Sequence, residues 1–227
     1  MGHRIRLPRW AVERGRTLND FRSLEPDATA LVVIDMQNAF VAEGEVFGNA
    51  HARDIVPAVN RMIRAFRQAG APVIWTRQTI VPSPPLAPED WHYDASQPET
   101  ARALEALASG SLGHALYPAL DVAPADIVID KHRYGAFSCP ARALPLALER
   151  LGARMIVLCG TLTNVCCEST AREAYMAGFK VIAVADGMAA ATDAEHNAAL
   201  LNLRLNFADV RRSRELLAMI GRVETGA

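Results

Sequence analysis

The sequence predicts a three-layer α/β domain, doubly wound, with a mostly parallel sheet and helices on both faces. Two observations carry that prediction. Five short runs recur that are apolar throughout rather than alternating, as strands buried on both faces read. Between them lie amphipathic segments, and strand–helix alternation of this kind implies right-handed crossovers in an open sheet.

The elements follow in order. Residues 1–27 form an N-terminal arm, and residues 28–222 a single domain. The arm carries Arg4, Arg6, Arg9, Arg14 and Arg16 with Trp10, and lacks the apolar stretch of a secretory signal. It reads as a solvated or packing segment, or else as one reaching a neighbouring subunit. The first run, Ala30 to Ile34, ends at Asp35. Ile55, Val59, Met62, Ile63 and Phe66 then keep helical spacing up to Gly70, a common helix stop. The run Val73 to Trp75 leads to Arg77 and Gln78. From Ile80 to Pro98 five prolines, with Trp91, His92 and Tyr93 among them, exclude regular structure. A long irregular stretch in a compact domain is more often functional than idle, and this one reads as a lid, a pocket wall or a plain insertion.

The run Ile127 to Ile129 leads to Asp130, Lys131, His132, Arg133 and Tyr134. Leu144, Leu148 and Leu151 mark a helix that stops at Gly152. The run Met155 to Leu158 opens into a Gly-Thr-Leu-Thr-Asn turn and a helix ending at Gly178. The run Val181 to Val184 is followed by Asp186.

Composition bounds the function. The chain has 227 residues, 51% of them hydrophobic and 22% charged, with a net charge of -1. That is a soluble globular composition, it gives no bulk attraction to nucleic acid, and no apolar run reaches the roughly 20 residues of a membrane span. The four cysteines form no Cys-x-x-Cys pair and no His cluster has zinc spacing, so reduced thiols, a cytoplasmic location and no cofactor or metal are expected.

In open α/β sheets ligands sit beyond the carboxyl ends of the strands. If the strands are neighbours, Asp35, Lys131 and Cys166 meet at one edge. A carboxylate, an ammonium and a thiol are the parts of an activated thiol nucleophile. Asp35 alone reads equally as a strand end, Lys131 as a surface lysine, and Cys166 as a small buried hydrophobe. Against that, the chain has 22 arginines and only two lysines, Lys131 and Lys180. Thr163 and Asn164 are helix-capping types, which puts Cys166 in a first turn where the helix dipole favours a thiolate. Cys167, about 100° further round, shares a small-residue packing face with Ala171, Ala174 and Gly178.

The segment from Gly160 to Thr170, GTLTNVCCEST, resembles the nucleophile motif of the isochorismatase-like cysteine hydrolase superfamily. Asp35-Met36-Gln37-Asn38 and the segment from Asp130 to Phe137 resemble its other two signatures. The resemblance spans roughly residues 28 to 220. It implies an Asp35–Lys131–Cys166 triad, a cis peptide between Thr161 and Leu162, and an oxyanion hole from the backbone N–H groups of Leu162 and Cys166. Nicotinamidase relatives add an Asp/His metal site after the first strand; here that stretch offers His51 and Asp54 but not that arrangement.

Within the family the motifs look most like ureidoacrylate and carbamoyl-amide hydrolases. The expected activity is hydrolysis of a C–N bond in a small amide, ureide or carbamoyl compound. Tyr134 and Phe137 are expected to line the pocket, with Arg77, Gln78 and Trp91 facing substrate, in a homo-oligomer (dimer or tetramer). The rivals are vinyl-ether hydrolysis of the isochorismatase type, a silent binding protein on this fold, and a redox pair of Cys166 and Cys167.

Overall fold

A computed structural model describes residues 2–220. Six strands make one all-parallel sheet: β1 (Thr29–Ile34), β2 (Val73–Gln78), β3 (Ile127–Lys131), β4 (Met155–Thr161), β5 (Lys180–Ala189) and β6 (Asp209–Arg211). Their order across the sheet is β3-β2-β1-β4-β5-β6, which reverses direction between β1 and β4. Ligands bind at such a reversal because the following loops part there. The domain end expected at residue 222 lies outside the described residues.

Among the described residues eight α-helices accompany the sheet. They are α1 (Arg9–Arg16), α2 (Asn38–Val41), α3 (Ala50–Gln68), α4 (Pro98–Ala106), α5 (Ala143–Arg150), α6 (Glu168–Met176), α7 (Asp193–Asn202) and α8 (Ser213–Ile220). Strand side chains alternate between faces, so each strand feeds two cores. Leu31, Val33, Val73, Trp75, Val157, Cys159, Ile182 and Val184 pack against α3 and α8. Ala30, Val32, Ile34, Ile74, Ile156, Leu158, Val181 and Ala183 pack against α5 and α6. Asn49 caps α3, its side-chain oxygen accepting from the Ala52 N–H at 2.8 Å. Fully burying one large apolar side chain contributes about 1.5–3 kcal/mol, so the two layers account for most of the driving force.

The N-terminal arm lies on its own chain. Its residues 3–6 run along α7: the Arg4 N–H donates to Asp193 Oδ1 at 3.2 Å, and Asn197 Nδ2 donates to the Arg4 carbonyl at 2.9 Å. Helix α1 follows against the π-helical turn Leu203–Phe207, where Gly15 is required because a Cβ there would stand 2.2 Å from the Arg204 carbonyl. The buried Arg204 guanidinium donates to Val12 O, Asn19 O and Asp209 Oδ1, tying the arm to β6.

Candidate active site

The site is assembled at the ends of β1, β3 and β4. At the end of β1 the chain turns sharply, and Asp35 takes φ of 46°, a left-handed conformation that costs a non-glycine residue of order 1 kcal/mol. Three contacts hold it. Thr76 Oγ1 donates to Asp35 Oδ1 at 2.7 Å, the Asp35 N–H donates to Thr76 O at 3.2 Å, and Thr161 Oγ1 donates to Asp35 O at 2.8 Å. Beside it Gly160 brings β4 into close approach: a Cβ there would stand 2.1 Å from the Ile34 carbonyl, and φ is 115°.

Lys131 ends β3 and reaches across β2 to this carboxylate. Its Nζ lies 2.7 Å from Asp35 Oδ2, and both side chains are essentially closed to solvent. The same ammonium donates to Gln78 Oε1 at 2.6 Å and to Arg133 O at 3.0 Å. Burial alone pulls the lysine pKa down, but the facing Asp35 carboxylate, with the Cys166 sulfur beside it, outweighs it and the pKa is raised. The ammonium is charged.

After β4 the Thr161–Leu162 peptide bond is cis. The following residues, Thr163–Cys167, form a π-helical turn with no side-chain cap before α6 begins at Glu168. The sequence suggested Thr163 or Asn164 as a helix cap; instead the Thr163 hydroxyl turns to His196, at 2.8 Å from Nδ1. The Cys166 thiol faces both Asp35 and Lys131. Burial pushes its pKa up, Lys131 pulls it down, Asp35 pushes it up again, and the net result is about 12. The sequence favoured a resting thiolate; in this dry site the thiol keeps its proton, with a carboxylate beside it to take it. Cys167 packs with Ala171 and Ala174 in the core under α6.

The chain's proline-rich stretch walls a cavity of about 330 Å³, lined among others by Gln78, Trp91, His92, Tyr93, His132 and Tyr134, which meets the site at Gln78, the partner of Lys131, rather than at Asp35 or Cys166 themselves. His92 Nε2 and Tyr134 Oη are 2.6 Å apart. Burial and a hydrogen bond with Tyr134 raise the Tyr93 pKa, and the nearby Cys166 charge adds to this. Arg133 ties the wall down by donating to the carbonyls of Leu86 and Pro85.

The predicted pocket residues therefore separate. Trp91 and Tyr134 line the cavity, and Gln78 both borders it and holds Lys131. Arg77 is paired with Asp130, its partner in the sheet register, at 2.7 Å. Phe137 packs edge-on against Phe179 in the lower core. Asp186 lies within β5 and accepts from the N–H of Ser213 at 2.6 Å, at the start of α8.

One group had no signal in the sequence. His51 on α3, His3 on the arm and His196 on α7 stack face to face, with centroids 3.9 Å and 4.1 Å apart. Ligand-type atoms of His3, His51 and Asp193 lie within 4.8 Å of one another. Asp193 Oδ1 is 2.8 Å from His3 Nδ1, and His3 Nε2 accepts from the Ala190 N–H at 3.0 Å, while His51 Nδ1 is buried with no hydrogen-bond partner. His51 and Asp54, on α3 after the first strand, lie against the arm and not at the Asp35–Cys166 site.

The isochorismatase domain family matches residues 29–215. The chain belongs to that family. It is 33% identical to the ureidoacrylate amidohydrolase RutB of Methylobacterium radiotolerans, over 90% of this chain and 85% of that one. It is 30% identical to nicotinamidase 3 of Arabidopsis thaliana, over 82% of this chain and 87% of that one. Among solved structures, a cysteine hydrolase from Pseudomonas syringae pv. phaseolicola superposes with a TM-score of 0.80 at 26% identity, covering 89% and 96% of the two chains. Among the described residues no helix is long and apolar enough to cross a membrane.

Proposed function

We propose that this isochorismatase-family chain hydrolyses a C–N bond of a small amide or ureide through Cys166. The observation that carries this is the buried Asp35–Lys131 ion pair facing a protonated thiol at the sheet reversal. Relatives named for ureidoacrylate and nicotinamide hydrolysis support the substrate class.

The steps follow from the geometry. Substrate enters the cavity with its inert part against Trp91 and Tyr134 and its carbonyl carbon over Sγ. Asp35 takes the thiol proton as the S–C bond forms, and the carbonyl oxygen becomes an oxyanion. The backbone N–H groups of Leu162 and Cys166 hold that oxyanion; one good donor contributes about 3–4 kcal/mol in comparable sites. The C–N bond then breaks, and the departing nitrogen takes the proton from Asp35. Water attacks the resulting thioester or thiocarbamate while Asp35 accepts its proton. As the S–C bond breaks, that proton returns to the thiolate. Lys131, 2.7 Å from Asp35 Oδ2, fixes which oxygen faces sulfur.

The test is a screen of ureidoacrylate, N-carbamoyl amino acids and aromatic amides for ammonia release. It is paired with intact-mass detection of an acyl or carbamoyl adduct on Cys166. Ammonia release that is lost in Cys166→Ala, with an adduct seen only on wild type, supports the reading. Turnover that survives Cys166→Ala removes it.

A further inference from the structure

We propose that His196, itself set by His3 of the N-terminal arm, is a positioning residue for the turn that carries Cys166. The inference rests on the reading of Cys166 as the nucleophile. The turn Thr163–Cys167 has no side-chain cap, and Thr163 spends its hydroxyl on His196 Nδ1 at 2.8 Å, both residues being fully buried. Thr163 directly follows Leu162, a residue of the oxyanion hole in the reading above, and stands three before Cys166. Any displacement of His196 therefore passes into both the nucleophile and the oxyanion-binding backbone. His196 Nε2 is buried and approaches the Ala185 backbone without forming a well-shaped hydrogen bond, so the ring is fixed chiefly by Thr163 and by stacking. The stacking partner is His3, whose ring lies 10° from parallel to it.

His3 is held in one protonation state. Its Nε2 accepts from the Ala190 N–H, so in the neutral ring the proton sits on Nδ1 and is donated to Asp193. A second proton would sit on Nε2 and point at the Ala190 N–H, donor against donor. It would also place a charge between two other imidazoles. The ionisable groups around the ring are Asp193 and His196 on α7, His51 and Asp54 on α3, Asp186 on β5, Arg212 before α8 and Arg4 on the arm. Only the carboxylates favour the proton. Burial, then the neighbouring His51, outweigh Asp193 and lower the His3 pKa below its ordinary 6.5; burial and the His3 charge bring His196 to about 3.

The sign follows. The undocked arm takes up a proton below about pH 6.5 and the docked arm resists it, so docking is full above that pH and weakens as pH falls through it. The arm thereby makes the geometry of the nucleophile turn sensitive to mild acid.

The experiment reads two rates on wild type, Thr163→Val, His196→Ala, His196→Asn and His3→Ala: hydrolysis, and alkylation of Cys166 by iodoacetamide with each cysteine mapped by mass. At pH 7.5, Thr163→Val and His196→Ala should hydrolyse at least tenfold slower with KM within threefold. Their Cys166 alkylation should rise at least fivefold, because a loosened turn lets solvent reach the thiol, while Cys139, Cys159 and Cys167 stay unreactive. His196→Asn, which restores a partner at the Nδ1 position, should recover most of both rates. His3→Ala should be several-fold slower at pH 7.5, and its Cys166 alkylation, taken as a ratio to wild type at the same pH so that the thiolate fraction cancels, should be raised at pH 7.5 and approach one at pH 5.5, where the wild-type arm is itself undocked. Alkylation of all four thiols in His196→Ala means that variant has unfolded, and Thr163→Val, which removes only a hydroxyl, then decides. Both rates within twofold of wild type in Thr163→Val and His3→Ala would overturn the proposal. If wild type hydrolyses nothing in the screen, the proposed function fails, but the alkylation rates still decide this inference.

Discussion

Lys131 Nζ and Asp35 Oδ2 lie 2.7 Å apart with neither side chain open to water. Removing one member leaves the other as a buried unpaired charge, which costs about 3–5 kcal/mol. Lys131→Ala should therefore lower both stability and turnover. Lys131→Arg should be nearly as inactive. The ammonium donates to Gln78 and Arg133 and faces Asp35 in a closed site, and a planar fork needs different room and different acceptors. A misplacement of about 1 Å costs on the order of a hundredfold in rate. Steady-state kinetics with thermal melts on both variants check this; near wild-type turnover in Lys131→Arg would show that only bulk charge matters.

Gln78 supports that ammonium from the neighbouring strand. Its Oε1 accepts from Lys131 Nζ at 2.6 Å, while its backbone is clamped by Gln37, which accepts from the Gln78 N–H at 2.7 Å and donates to Gln78 O at 3.1 Å. Gln78→Leu keeps the volume and deletes the acceptor. The expected result is a ten- to hundredfold loss of kcat with KM within threefold. A large rise in KM with kcat intact would instead make Gln78 a substrate contact.

Cys166 and Cys167 are adjacent and both buried in the same core, but only Cys166 comes within hydrogen-bonding reach of Asp35 and Lys131. Cys166→Ala should abolish turnover. Cys167→Ala should retain most of it, at a stability cost of about 1 kcal/mol for the lost buried volume. An inactive Cys167→Ala that is folded, beside an active Cys166→Ala, would reverse the assignment.

Activity should survive exhaustive chelation and assay in metal-free buffer. The ground is the donor set around Cys166, a carboxylate already paired with an ammonium, which leaves no vacant ligand pair for a metal there. A large loss reversed by zinc, iron or manganese would contradict this.

The strands were legible because a strand covered on both faces must be apolar at every position, as Ala30 to Ile34 is. Strand β6 was not, since Asp209-Val210-Arg211 is short and polar. Its charges are satisfied by Arg204 and Asp20, pairings that only the fold creates. The meeting of Asp35, Lys131 and Cys166 was legible because each follows a strand on the same edge. Arg77 looked equally exposed at that edge, and only the register that sets it opposite Asp130 shows where its charge goes. Phe137 sits in an irregular segment, where no period tells which side chain turns inward. His3, His51 and His196 share no motif; they meet because the arm crosses two helices at the end of β5.

The last prediction concerns the charge balance on the thiol. Burial is the largest influence on Cys166 and pushes its pKa up; Lys131 opposes it and Asp35 reinforces it, to about 12. The thiolate fraction at neutral pH is therefore far below that of a free cysteine near 8.5. Alkylation of Cys166 in wild type should be slow and still rising beyond pH 9. The two charges act in opposite directions, so their removal should separate. Asp35→Asn deletes the negative neighbour and leaves the ammonium, which lowers the thiol pKa and speeds alkylation at pH 8. Hydrolysis in the same variant should fall by at least a thousandfold, because the proton acceptor is gone. Lys131→Ala deletes the positive neighbour and should slow alkylation further. Measured as alkylation rate against pH with steady-state hydrolysis alongside, the pair gives opposite shifts in reactivity and a shared loss of turnover. Slower alkylation in Asp35→Asn would mean that the carboxylate activates the resting thiol rather than accepting its proton during attack, and the order of steps proposed above would be wrong.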